Sequence, residues 1–213
     1  MSGILDLLNS DMGRQIIQGV SNETNEPADK TASVVQMALP ILMGAMKRNA
    51  NTPQGAEGLM SALNTKHDGS ILDNLGGLFS GGVNEEVKMD GMGILGHVLG
   101  GSQNNVAMAL SNKSGMDSKS VMNILQVLAP IILGYLGKQK QQKNVQSPDA
   151  LTGLLGGLMG GGSAQPKQQS LIESILDGDN DGSVLDDVAG MLLSSGKQKK
   201  SGLGGLLGGL FGK

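Results

Sequence analysis

The chain has 213 residues, a formal net charge of −3, and 16% charged residues. Glycine fills 35 positions and methionine 13, the aromatics are Phe79, Tyr135 and Phe211 alone, and cysteine and tryptophan are absent. These values exclude a disulfide framework, a thiol nucleophile and a cysteine-ligated zinc site. They also leave neither the aromatic platform nor the basic footprint of a nucleic-acid reader.

Met1-Ser2-Gly3-Ile4-Leu5-Asp6-Leu7-Leu8 lacks the basic start of a secretory signal, and Asp6 interrupts its apolar stretch. Cytoplasmic residence is the default expectation, with export lacking a recognisable signal left open. Apolar periodicity predicts helices over 3–8, 11–21, 27–49, 53–64 and 70–80. Pro27 and Pro53 sit where a first helical turn begins, a position in which the missing N–H costs nothing. Thr52 is a suitable N-cap. Residues 37–46 and 127–136 are the most apolar runs. Each is well short of the ~20 residues that span a bilayer as a helix, so they read as buried core helices.

The chain then repeats itself. Shifted by 90 residues, 4–48 lies on 94–138 without a gap. Ile4-Leu5 meets Ile94-Leu95, Ser21-Asn22 meets Ser111-Asn112, and Gln36 meets Gln126. Residues 38–44 (Ala-Leu-Pro-Ile-Leu-Met-Gly) meet 128–134 (Leu-Ala-Pro-Ile-Ile-Leu-Gly). Beyond this the offset grows: Thr52-Pro53 matches Ser147-Pro148, and 68–73 matches 181–186. The extra length falls in the polar stretches 138–146 and 160–170, as surface insertions do. Unit one is 1–88, unit two 91–195, and a tail fills 196–213. Helices of the second unit are expected at 93–99, 103–112, 117–139, 148–160 and 183–194, with a short added one near 170–176. Pro40 and Pro130 interrupt the long helices at matching positions and predict a bend around a core.

Within unit two, Asp177, Asp179 and Asp181 stand at positions 1, 3 and 5 of a calcium-loop pattern, with Gly182 at position 6. Ser183 would offer its carbonyl and Asp187 a late carboxylate. Position 12, normally glutamate, is Val188. The competing reading is a capped helix: Ser183…Asp186 and Ser70…Asp73 both resemble capping boxes. Capping leaves Asp177 and Asp179 unexplained. Calcium is therefore the one cofactor the residues suggest.

The tail carries Leu203, Leu206, Leu207, Leu210 and Phe211 on one helical face, with glycines between them. Its glycines cost on the order of 5 kcal/mol of helix propensity. Burial of the five side chains returns roughly 7–15 kcal/mol as an upper bound. The tail is expected to be helical only when docked: on the body, on another copy or partner, or weakly on a membrane surface. Catalytic constellations fail. His67 and His97 are the only histidines, are unmatched between the units, and read as surface or helix-end residues.

Residues 9–17 (Asn-Ser-Asp-Met-Gly-Arg-Gln-Ile-Ile), 37–46, 68–78 and 177–188 resemble the bacterial domain of unknown function 937 family, with the YidB-like proteins as wider relatives. The resemblance covers nearly the whole chain. It implies a bacterial, all-helical protein and supplies no catalytic residues. The expectation is an all-α tandem duplication with Pro-kinked core helices and a Gly/Leu-rich tail. Its expected role is non-catalytic, as a structural or protein-interaction module that self-associates through apolar helix faces. The alternatives are a calcium-binding protein using the 177–187 loop and a peripheral membrane protein using the tail.

Overall fold

The computed structural model describes residues 4–160. Across them the chain is all-α, with ten α-helices, one 3₁₀ turn and no strand. First come α1 (Ile4–Asn9), α2 (Asp11–Thr24), α3 (Ala28–Ala50) and α4 (Pro53–Thr65), then the short α5 (Ser70–Asp73) and α6 (Leu75–Phe79). The series recurs as α7 (Glu85–Leu99), a 3₁₀ turn (Gly100–Ser102), α8 (Gln103–Ser114), α9 (Ser118–Gln142) and α10 (Pro148–Gly160). The second half of α7 corresponds to α1, α8 to α2, α9 to α3 and α10 to α4. The tandem duplication read from the sequence is thus a duplication of helices.

Local chemistry sets the helix ends. Helix starts leave orphan N–H groups, which short polar side chains accept. Thr52 Oγ1 accepts the Gly55 N–H (3.1 Å), and Ser147 Oγ accepts the Ala150 N–H (3.3 Å). Asp117 caps α9 by accepting from Lys119 and Ser120 (both 3.0 Å). At the ends of α2 and α8 the backbone turns left-handed, at Asn25 (φ 53°) and Gly115 (φ 67°). The Ser21 hydroxyl donates to the Glu26 carbonyl (2.7 Å), and Ser111 repeats this with Met116 (2.5 Å). Thr24 donates to Val20 O and Ser114 to Leu110 O, both at 2.8 Å. The serine identity noted in the sequence is therefore a shared helix stop.

The core is one apolar cluster to which both repeats contribute. At its centre lies α9, in which every residue from Val127 to Gly137 is buried. A helix that is apolar all round needs neighbours all round. Here α2, α3, α4, α5, α7 and α8 supply them. The 37–46 run forms the buried part of α3, where Ala38, Leu39, Ile41, Leu42, Met43, Ala45 and Met46 are all buried. Pro40 and Pro130 occupy the same place within these two helices. Two contacts leave no room for a side chain. A Cβ at Gly91 would collide with the Gln126 carbonyl, and one at Gly137 with the His67 carbonyl. They let α7, and the chain between α4 and α5, lie directly on α9.

Three sequence expectations change. The single helix over 70–80 is two, because Asn74 leaves helical geometry (φ −131°, ψ 43°) and caps the second piece by accepting from Gly77 N (3.1 Å). The Ser70…Asp73 capping box does not form: Ser70 is already helical and its N–H goes to Asp68 Oδ1 (3.0 Å). The Asp73 carboxylate instead pairs with Lys138 Nζ on α9 (2.7 Å). Finally, the helix expected over 93–99 begins eight residues earlier, at Glu85. Asn84 caps it by accepting the Glu86 N–H (2.9 Å).

Candidate methionine face and its neighbours

The five candidate calcium ligands, Asp177, Asp179, Asp181, Ser183 and Asp187, lie outside the described residues, as do Leu203, Leu206, Leu207, Leu210 and Phe211 of the tail. Among the described residues no three His, Asp or Glu side chains come together as a metal site.

The two histidines differ. His97 lies exposed in the last turn of α7, its Nδ1 2.9 Å from Gly93 O. His67, just past the end of α4, is 6% exposed, which corrects the surface placement while keeping the helix-end one. Its Nε2 is 3.4 Å from Asp90 Oδ2 on α7. Burial pushes the His67 pKa down. Asp90 and Asp68 work against that effect, Lys66 adds to it, and burial prevails. His67 is thus a neutral packing residue wedged between α7 and α9.

The early start of α7 builds a second feature. Its first turns lie over the end of α2 and against α9, enclosing a shallow groove of about 240 Å³. Glu23 and Lys88 form its polar wall, Met89 and Met92 its lip, and Asn123 and Gln126 of α9 its floor. The Glu23 side chain, 12% exposed, takes Lys88 Nζ at 2.7 Å and the Val83 N–H at 2.7 Å. Burial alone would raise the Glu23 carboxyl, but the hydrogen bonds from Lys88 and Val83 outweigh it and hold the pKa below the ordinary value. Glu85 also reaches Lys88 (3.1 Å), and the two carboxylates raise the lysine's pKa. The wall is a satisfied ion cluster that fixes α7 to α2.

From Met89 onward α7 turns an uncharged face to solvent. Met89 is 67% and Met92 53% exposed. Gly93 and Gly96 follow on the same side, at i+4 and i+7 from Met89. No atom lies within 4 Å of where a Cβ at Gly93 would be, and only the end of the Gln103 side chain, at 3.7 Å, approaches the one at Gly96. The face therefore carries two protruding thioethers followed by two hollows. The sequence reading misses it because it expects no helix over 81–92, between the helices at 70–80 and 93–99. The signal was present in Met89, Met92, Gly93 and Gly96 at helical spacing.

Against protein-family models, the family described as "Bacterial protein of unknown function (DUF937)" matches residues 6–139 and 140–213. The chain belongs to the DUF937 family. The match agrees with the resemblance carried by residues 9–17, 37–46, 68–78 and 177–188. No curated protein and no solved structure matches. Among the described residues of this DUF937 chain, one helix, α9, has the length and apolar character of a membrane span, and it is mostly buried within the protein. That burial fits the core-helix reading of residues 127–136.

Proposed function

We propose that this DUF937 protein is a non-catalytic structural and protein-interaction module, resident in the cytoplasm, whose working surface is the methionine face of α7. The observation that carries the reading is the exposure of Met89 and Met92 beside a fully paired ion cluster. Large apolar side chains exposed side by side on a rigid helix mark contact surfaces. Thioethers suit that task, since methionine adapts to varied partners. The ion cluster anchors the helix and leaves its carboxylates engaged, a structural rather than a chemical arrangement.

Mild peroxide footprinting tests the proposal. In dilute purified protein Met89 and Met92 should oxidise at least as fast as Met108, which is 43% exposed on α8. In living cells the two α7 methionines should be protected relative to Met108. Equal oxidation of all three in cells would remove the interaction reading. A second reading, calcium binding by Asp177, Asp179, Asp181, Ser183 and Asp187, rests on the two acids that unit one lacks at the matching positions. Calorimetric heat on adding calcium, lost in Asp179→Ala, would support it.

A further inference from the structure

We infer that the methionine face of α7 is covered by the same face of a second copy, in an antiparallel two-fold contact centred between Met92 and Gly93. This rests on the protein-interaction reading and adds the partner and the register.

The argument is the self-complementarity of the face. A two-fold contact brings one surface patch onto itself, so every bump must meet a hollow of the same patch. Centring the axis between Met92 and Gly93 sets Met92 over Gly93 of the second copy. The same operation sets Met89 over Gly96 of the second copy. Both protruding side chains find both open positions, and no other axis along this helix pairs them so. The absent Cβ atoms let the helices approach closely.

Charge agrees with the register. Glu85 and Glu86 fall opposite Gly100 and Leu99 of the second copy, and Lys88 falls opposite His97. No two carboxylates and no two lysines meet. The antiparallel crossing also opposes the two helix dipoles. The patch is one helix face, far below the 1,200–2,000 Å² typical of stable complexes.

The chain contains no cysteine, so single-cysteine variants of the full chain read the register directly. Met92→Cys lies beside the axis and should form a disulfide dimer under mild oxidation. Met89→Cys should not link to itself, because the two copies of residue 89 are seven residues apart along the helix, about 10 Å, beyond disulfide reach. Mixed with Gly96→Cys, however, it should give the heterodimer. Wild type should show concentration-dependent sedimentation, weakened at least tenfold by Met92→Lys. All these positions are exposed, and unchanged circular dichroism confirms the fold of each variant. Self-linking of Met89→Cys as fast as Met92→Cys overturns the register. A wild-type chain that sediments as a monomer up to millimolar concentration overturns the second copy. If Met89 and Met92 are nonetheless protected in cells, a different protein covers the face and only this inference fails. If they are unprotected in cells, the interaction reading falls as well.

Discussion

The two repeats stop their second helices alike and use their third helices differently. Ser21 and Ser111, and Thr24 and Ser114, make the same hydrogen bonds at the ends of α2 and α8. By contrast, α9 is enclosed on every side, and its Gly137 touches the His67 carbonyl where α3 has the half-exposed Lys47. The first helices diverge too: α1 has six residues and α7 fifteen. Helix stops are local and survive duplication unchanged. Burial is set by what each helix faces, and there the copies have taken separate paths. The added turns of α7 supply Lys88 of the groove and both methionines of the face, all of which precede the matched stretch 94–138.

The sharpest way to break the comparison is at 137 and 47. Gly137→Val drives a side chain into backbone and should destabilise the fold by about 2–4 kcal/mol. Lys47→Val, at the matching position of α3, should change stability by less than about 1 kcal/mol. Urea denaturation of both variants decides it, and equal losses would mean that the two helices are not packed differently.

The next largest effect is at 31 and 121. Both positions are fully buried, but Thr31 Oγ1 has no hydrogen-bond partner and its counterpart is Val121. An unsatisfied buried hydroxyl costs about 1–3 kcal/mol. Thr31→Val should raise stability by about 1 kcal/mol and Val121→Thr should lower it by about 1–3 kcal/mol. A stabilising Val121→Thr would show that the two sites are not equivalent.

The smallest effect comes from His67, which the second unit lacks. Its folded pKa lies below the ordinary 6.5 because it is buried. Below about pH 6.5 the unfolded chain therefore binds a proton that the folded chain still refuses. Stability should be complete above that pH, fall as the pH drops toward the folded pKa, and level off beneath it. His67→Gln should flatten this part of the profile, as measured by thermal melts between pH 5 and 8. An unchanged slope in the variant would assign the dependence to carboxylates instead.

Much of the fold was legible because proline, N-cap residues and apolar spacing act locally. Thr52 and Ser147 cap the predicted helices, and the 37–46 and 127–136 runs are buried as expected. Three features were hidden because they depend on distant partners. Asp73 reads as a capping acid until Lys138 arrives from α9. The burial of His67 needs Gly137, and the placement of α7 over α2 needs the Glu23–Lys88 pair, although the Asn84 cap that starts α7 is local. Of the candidate site, only the spacing of Met89, Met92, Gly93 and Gly96 was visible, and its exposure is a tertiary property.

The central place of α9 has a consequence for biosynthesis. Helices α2, α3, α4 and α5 all rest on a segment that begins at residue 118. During translation the first repeat leaves the ribosome before the helix that covers it has been made. It cannot complete its core as an independent unit, although domains generally fold as they emerge. Until α9 follows, the apolar side of α3 stays open to chaperones and to neighbouring nascent chains. A duplication that began as two similar pieces has become a molecule that is assembled only once both have been synthesised.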